Sequence, residues 1–211
     1  MMWWRLSALG DTALLAPASL AVLLYLVTIR RWVDARAFLA ALTLGLGLTL
    51  ASKLLFKACG GAIDVLNLNS PSGHASFATL FYGSLALMLG WGRSRLMVGL
   101  IWAATVPLLL AIGASRAAQD AHNWPEVGVG WLVGLAGLAV FVALRRGAET
   151  PPLSPYPLAV GLAAAVLLLG GRHFTPEHYI DRIAQAASIS LDVCREPRVT
   201  ALTPSLPVQP R

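Results

Sequence analysis

Six long apolar stretches dominate this chain of 211 residues and limit what it can fold into. Most are close to the roughly 20 residues that an α-helix needs to cross a bilayer. Only 12% of the residues are charged, whereas an ordinary soluble domain carries about 25%. A soluble α/β enzyme, a disordered chain and a nucleic-acid-binding domain are therefore disfavoured, and the chain is predicted to be an all-α, polytopic membrane bundle with about six transmembrane helices. The stretches are Thr12–Ile29, Ala37–Phe56, His74–Trp91, Leu96–Ala114, Val127–Leu144 and Pro157–Gly171.

Polarity divides the chain into a predicted six-span membrane domain, residues 1–171, and a C-terminal tail, residues 172–211. Within the tail, apolar residues recur at helical spacing between Pro176 and Cys194, which predicts a short amphipathic helix. The last residues are rich in proline and are predicted to be disordered. The glycine-rich segment Gly128–Gly137 lies inside a predicted span, where small residues favour close packing of helices.

Basic residues cluster in alternate short loops, and such loops usually face the cytoplasm. This pattern predicts that both termini lie outside, in a protein of the bacterial cytoplasmic membrane. The net charge of +6 then follows mainly from topology and the tail, and no nucleic-acid partner is needed to explain it. The clustered residues are Arg30, Arg31, Arg36, Arg93, Arg95, Arg145 and Arg146.

A first polar cluster, Asn69–His74, opens the third apolar stretch. Ser70 is predicted to cap this helix and Pro71 to be its first residue. The free N–H groups of such a helix start attract anions, and here Gly73 allows close approach while Ser72 adds a hydroxyl. The alternative is an ordinary capped helix start without a ligand.

A second polar cluster joins the fourth and fifth stretches. His122 and Glu126 are four residues apart and would share one face of a helix. A carboxylate bonded to one imidazole nitrogen makes the other more basic, as a histidine nucleophile requires. The guanidinium of Arg116 suits phosphate oxygens. The alternative is an ion pair between Arg116 and Glu126 at the membrane interface, with His122 an ordinary loop residue.

Lys53 lies near the end of the second stretch, where an ionisable side chain is costly and marks a candidate functional site. Its alternative role is to extend to the lipid headgroups, which is the expected role of Lys57 one turn later. Because successive spans alternate in direction, Lys53, His74, Arg116 and His122 are all predicted at the outer face. Two bases, two cations and a helix start together indicate phosphoryl-transfer chemistry.

Taken together, these motifs resemble those of the type 2 phosphatidic acid phosphatase (PAP2) superfamily, in its membrane lipid phosphatase branch. The superfamily pattern is Lys-x6-Arg-Pro, then Pro-Ser-Gly-His, then Ser-Arg-x5-His-x3-Asp. The second motif is complete at Pro71–His74, and the third, Ser115–Glu126, differs only in having Glu126 instead of Asp. The first motif keeps Lys53 but has Gly60 and Gly61 where Arg-Pro is expected.

The resemblance implies a mechanism that needs no metal ion or other cofactor. His122 attacks phosphorus to form a phosphohistidine, Glu126 orients His122, and His74 protonates the leaving oxygen and then activates water. The missing arginine leaves one phosphate contact unfilled, for which Lys57 is a candidate replacement. The implied phosphate-binding residues are Lys53, Ser72, Gly73 and Arg116.

The implied activity is hydrolysis of a lipid phosphate or diphosphate at the outer membrane face, with the lipid as partner and the oligomeric state left open. One alternative is a lipid phosphotransferase of the same family. Another is a non-enzymatic membrane protein, such as a transporter or assembly factor, whose site has degraded at Gly60 and Glu126. A disulfide between Cys59 and Cys194 would tie the tail over the site, with two free thiols as the alternative.

Overall fold

The protein is described by a computed structural model that covers residues 2–59, 68, 70–148 and 151–169. The described residues fold into helices, and the predicted all-α bundle is confirmed. Helices α2 to α7 correspond to the six predicted stretches, while α1 is a short helix that the sequence reasoning did not identify. The helices are α1 Met2–Ala8, α2 Thr12–Thr28, α3 Trp32–Cys59, α4 Gly73–Gly90, α5 Arg95–Ala118, α6 Trp124–Arg145 and α7 Pro155–Leu169.

Four helical segments in the described part of the chain are long and apolar enough to cross a membrane, judged by length and composition. The first of them contains both α1 and α2. These segments identify an integral membrane protein. Helix α7 has 15 residues and is shorter than these four. The four segments are Met2–Thr28, Trp32–Phe56, Arg95–Ala118 and Trp124–Arg145.

Helix α4 is the centre of the bundle, because nearly all of its residues are buried by α3, α5 and α6. Fully buried aromatic rings from three helices, Phe38, Phe81 and Phe141, meet in this core. A helix shielded by its neighbours does not need the apolar surface that lipid demands. This explains why α4 can carry serine and threonine side chains in its middle.

Glycines on α6 bring its backbone directly against α4. A Cβ atom at Gly130 would lie 2.5 Å from the carbonyl oxygen of Ser72, and one at Gly134 would lie 2.8 Å from that of Ser76. Any larger residue would push the two helices apart. The predicted close packing in this glycine-rich segment is therefore present, and it fixes the distance between the N-terminal ends of α4 and α6.

At one end of the bundle, which we call the arginine end, Asp34 and Arg145 are completely buried. Arg31 Nε donates to Asp34 Oδ2 at 2.6 Å, and Arg145 Nε donates to Asp34 Oδ1. The guanidinium of Arg145 lies 4.0 Å from the ring centroid of Trp91. The arginine pattern predicted that Arg31 and Arg145 lie in loops, whereas in the structure both are buried and bonded to the carboxylate of Asp34.

The predicted tail, residues 172–211, lies outside the described residues. Of the proposed disulfide, Cys194 and the side chain of Cys59 also lie outside them. The same holds for Gly60 and Gly61 and for the side chain of Lys57, which belongs to the last turns of α3.

Candidate active site

The turn after α5 sets the spacing between the arginine and the histidine of the third motif. The carbonyl oxygen of Arg116 accepts from the N–H of Ala121 at 3.1 Å and from that of His122 at 3.3 Å. The N–H of Asp120 donates to the carbonyl oxygen of Ala117. Asp120 has a φ of 53°, which is a left-handed conformation that aspartate tolerates. This Schellman turn ends α5 and returns His122 to the side of Arg116.

His122 precedes α6, so the prediction that it shares a helix face with Glu126 is wrong. The N-cap is Asn123, whose side chain accepts from the N–H of Glu126 at 2.9 Å. Glu126 reaches back, and its Oε2 accepts from the N–H of Asn123 at 3.2 Å and meets His122 Nδ1 at 2.8 Å. The capping box therefore aims the carboxylate at the imidazole. The longer side chain of glutamate spans the distance that this arrangement requires.

The contact with Glu126 fixes which nitrogen of His122 is reactive. An ionised carboxylate only accepts hydrogen bonds, so Nδ1 carries the proton and Nε2 keeps its lone pair. Burial lowers the pKa of His122 below its usual 6.5, and the charges of Lys53 and Arg116 lower it further, against the opposing effect of Glu126. The imidazole is therefore neutral at pH 7, which is the state a nucleophile needs.

The second motif begins α4 two residues later than predicted. Ser72 is the N-cap, and its hydroxyl oxygen accepts from an amide of the first turn at 3.5 Å, so Ser70 and Pro71 lie outside the helix. The N–H of Ser70 donates to Glu126 Oε1 at 3.1 Å, and the N–H of Ser72 donates to the Glu126 carbonyl at 3.0 Å. These bonds hold the segment beside α6. Glu126 thus joins the second and third motifs.

Lys53 is only 5% exposed, so it does not extend to the lipid headgroups. Its Nζ and Cε lie 3.6 Å from the point that a Cβ atom on Gly73 would occupy. The absence of a side chain at Gly73 leaves space between the lysine and the first turn of α4. The structure therefore brings the lysine of the first motif to the glycine of the second.

The two polar residues at the end of α5 differ in their contacts. Ser115 is fully buried, and its hydroxyl donates to the carbonyl of Ile112 at 2.6 Å, within its own helix. Arg116 Nη1 donates to Ser7 Oγ of α1 at 2.9 Å. The sequence reasoning missed Ser7, because nothing in the local pattern connects residues 109 positions apart.

A carboxylate that the sequence reasoning also missed faces His74. Asp11 Oδ2 lies 3.9 Å from His74 Nε2, and its Oδ1 accepts from the N–H of Ala13 at 2.8 Å as the N-cap of α2. The one available signal was an aspartate directly before an apolar stretch, which predicts a cap and nothing about histidine.

The end of the bundle opposite the arginine end, which we call the histidine end, thus contains both motif histidines. A neutral imidazole, a second imidazole and two cations are the components of phosphoryl transfer through a covalent intermediate. Within the part of the chain that the structure describes, no group of three or more His, Cys, Asp or Glu side chains could hold a metal ion.

A site of this composition, enclosed by apolar helices, indicates a membrane-bound phosphoric ester hydrolase. The chain belongs to the PAP2 superfamily, whose family model matches residues 56–149. It is also 31% identical over 156 residues to an uncharacterized 22.5 kDa protein in the cps region of Klebsiella pneumoniae, covering 72% of this chain and 73% of the relative. No solved structure matches the chain significantly.

Proposed function

We propose that the protein hydrolyses a lipid phosphate or diphosphate monoester through a phosphohistidine intermediate. The observation that carries this proposal is the 2.8 Å contact between His122 Nδ1 and the carboxylate of Glu126. It leaves Nε2 as a neutral nucleophile in a site that also contains Lys53 and Arg116. A histidine with an ordinary structural role would not need this tautomer beside two cations.

In the first step, the lone pair of His122 Nε2 attacks phosphorus, and the bond between phosphorus and the leaving oxygen breaks. His74 donates a proton to that oxygen, so the lipid leaves as an alcohol, or as a monophosphate when the substrate is a diphosphate. The first turn of α4 at Gly73, with Lys53 and Arg116, stabilises the negative charge on the remaining phosphate oxygens. Ser72 adds its hydroxyl at the same helix start.

In the second step, water attacks the phosphohistidine, and His74 accepts the proton that the water loses. The bond between nitrogen and phosphorus breaks, which releases inorganic phosphate and returns His122 to its neutral state. Glu126 stays hydrogen-bonded to Nδ1 throughout and stabilises the positive charge that the ring carries while phosphorylated. The two histidines thus divide the work between nucleophile and proton carrier.

An apolar cleft below the site supports a lipid substrate. It has a volume of about 240 Å³ and lies between α4, α5 and α6. Trp131 lines the cleft and also packs against Gly113, one turn before Arg116 on α5. At about 1.5 Å per helical residue, Trp131 lies about 10 Å from the start of α6, a depth that an acyl or prenyl chain reaches easily.

The proposed orientation places the histidine end at the outer face of the cytoplasmic membrane. Exposed arginines at the opposite end, such as Arg30, Arg36 and Arg146, support this orientation. To test it, the native cysteines are replaced and single cysteines are placed at Ala121 or Arg146. A membrane-impermeant maleimide should label Ala121→Cys in intact cells and Arg146→Cys only after lysis. The reverse labelling would contradict the orientation.

The activity is tested by phosphate release from purified protein with a polyprenyl diphosphate, a phosphatidate and a lipid A phosphate. His122→Ala should reduce the rate by about 10³-fold or more and abolish the acid-labile phosphoprotein that radiolabelled substrate produces. Arg36→Ala, an exposed change at the other end, is the matched control. Equal rates for wild type and His122→Ala would refute the assignment of His122 as the nucleophile. A wild type that is inactive on every lipid would favour the non-enzymatic alternative.

Transfer to an added alcohol, instead of phosphate release, would identify the phosphotransferase alternative. The phosphohistidine is common to both reactions, because it can be attacked by water or by an alcohol. The ratio of the two products therefore separates these functions without a further variant.

A further inference from the structure

The turn between α1 and α2, residues 9–11, lies directly against the start of α4. Tyr82 of α4 donates its hydroxyl to the carbonyl of Leu9 at 2.9 Å. A Cβ atom at Gly10 would lie 2.7 Å from a methyl carbon of Ile112 and 3.4 Å from both Cβ and the carbonyl oxygen of His74. Glycine is thus needed for this close approach, and the turn is held at a fixed position beside His74.

Asp11 ends this turn, and its two carboxylate oxygens have different contacts. Oδ1 accepts from the N–H of Ala13 and caps α2, whereas Oδ2 faces Nε2 of His74 at 3.9 Å. The side chain is buried, since the residue is 4% exposed. A cap alone would use one oxygen, so the placement of the second requires a separate explanation.

We propose that Asp11 is a positioning residue that holds His74 in its protonated, proton-donating state during the first step. This inference rests on the proposed role of His74 as general acid. A carboxylate within a few ångströms favours an imidazolium, and a general acid must carry its proton when the leaving oxygen departs. At 3.9 Å the two side chains form an ion pair without a direct hydrogen bond to each other, so Asp11 does not itself accept the proton of His74.

A positive charge in the described residues near His74 gives this role an effect to offset. Lys53 of α3 lies beside Gly73, the neighbour of His74, and its charge disfavours an imidazolium. Glu126 of α6 is bonded to His122, and among the residues that the structure describes Asp11 places a carboxylate opposite His74.

The same N-terminal segment contacts a second motif residue, because Ser7 accepts the hydrogen bond from Arg116. The family model begins at residue 56 and contains neither Ser7 nor Asp11. The first turns of this chain therefore supply two contacts to motif residues that the family match does not include.

The test is Asp11→Asn, because asparagine caps a helix as well as aspartate and removes only the charge. The rate constant kcat for an alkyl phosphate should fall about tenfold or more, and the alkaline limb of its pH profile should move to lower pH. Hydrolysis of p-nitrophenyl phosphate should change little, since its leaving group departs without a proton. Asp11→Ser, a second capping residue without charge, should behave in the same way.

A second readout does not depend on turnover. Diethyl pyrocarbonate modifies neutral imidazole, so at about pH 6.5 His74 should be modified faster in Asp11→Asn than in wild type, as measured by peptide mass spectrometry. A protein that releases no phosphate would refute the proposed function, while this measurement would still judge Asp11. Unchanged modification with an unchanged pH profile would overturn the inference. So would an equal loss on both substrates, which is the signature of a structural cap alone.

Discussion

Buried carboxylates occur at both ends of the helical core, and the two ends differ in the groups that these carboxylates face. At the arginine end, Asp34 lies between Arg31 and Arg145. At the histidine end, Glu126 bonds to His122, and a second carboxylate faces the other motif histidine. Guanidinium keeps its charge at every physiological pH, whereas imidazole gains and loses a proton near neutrality.

The partner therefore decides what a buried carboxylate does. A permanent ion pair joins α3 and α6 and takes no part in proton transfer, so it acts on stability. A carboxylate that faces histidine sets tautomer and charge, so it acts on reactivity. Substitutions at the arginine end should change the free energy of unfolding, and those at the histidine end should change turnover. The following predictions test this division.

The largest effect is expected for Glu126→Gln. The amide can present its NH₂ group to His122 Nδ1 and stabilise the wrong tautomer, which should lower kcat by about 10³-fold to 10⁴-fold. With the NH₂ group in the place of Oε2, the carbonyl oxygen of glutamine still accepts from the N–H of Ser70, and only the bond from the N–H of Asn123 is lost. The thermal unfolding midpoint should therefore fall by only a few degrees. Glu126→Asp, which keeps the charge, is the control and should retain more activity. A loss of stability as large as the loss of turnover would contradict the division.

Removing the carboxylate at the other end should have the second largest effect. Asp34→Ala leaves Arg145 buried without its carboxylate, and the free energy of unfolding should fall by about 3–5 kcal/mol in denaturant titrations. The kcat of the molecules that remain folded should be unchanged. Arg36→Ala, which removes an exposed arginine from the same helix, should cost less than about 1 kcal/mol. Equal costs for the two variants would show that the ion pair is not important for stability.

A smaller effect is expected for the aromatic partner of Arg145. Trp91→Leu removes the ring that lies 4.0 Å from the guanidinium, and the loss should be about 1–2 kcal/mol of unfolding free energy. Trp91→Phe keeps an aromatic face and should cost less. If leucine and phenylalanine cost the same, the contact is one of packing volume and not of charge on a ring.

The smallest effect is a shift in pH dependence. Because burial lowers the pKa of His122 below 6.5, the residue is still mostly neutral at that pH, and the acidic limb of kcat/KM should lie below about pH 6.5. Lys53→Met removes one of the charges that lower this pKa, so the limb should move to higher pH by less than about one unit. Asp34→Ala should leave the limb in place. An acidic limb of the wild-type profile that lies above pH 6.5 would contradict the proposal that His122 reacts as a neutral imidazole.

Features set by local sequence were predictable. Lipid thickness requires long apolar helices, so α2 to α7 could be located from composition, and the motif spacing singled out His74 and His122. Local rules failed where distant contacts decide. Ser70 and Pro71 looked like a helix start, but hydrogen bonds to Glu126 hold them outside α4. The i, i+4 spacing suggested one helix face, whereas the Schellman turn places His122 before the helix.

Contacts between distant residues left no signal in the sequence. Asp34 and Arg145 are 111 positions apart, and neither residue type nor spacing indicates that they pair. The topology prediction placed Arg145 in a loop as a basic residue, although its side chain is completely buried. The contact between Asp11 and His74 could not be predicted for the same reason, since an aspartate that caps a helix does not require a nearby histidine. Pairing across a bundle is decided by helix packing, which a single sequence does not reveal.

The hydrogen bond between Ser7 and Arg116 also sets an order of events during biosynthesis. The ribosome synthesises Ser7 long before Arg116, because 109 positions separate them. Tyr82, which donates to the carbonyl of Leu9, follows Leu9 by 73 positions. The contact between the N-terminal helix and Arg116 can therefore form only after α5 has been synthesised. A nascent or truncated chain that ends before residue 116 lacks both Arg116 and His122, so it cannot complete the proposed phosphate site.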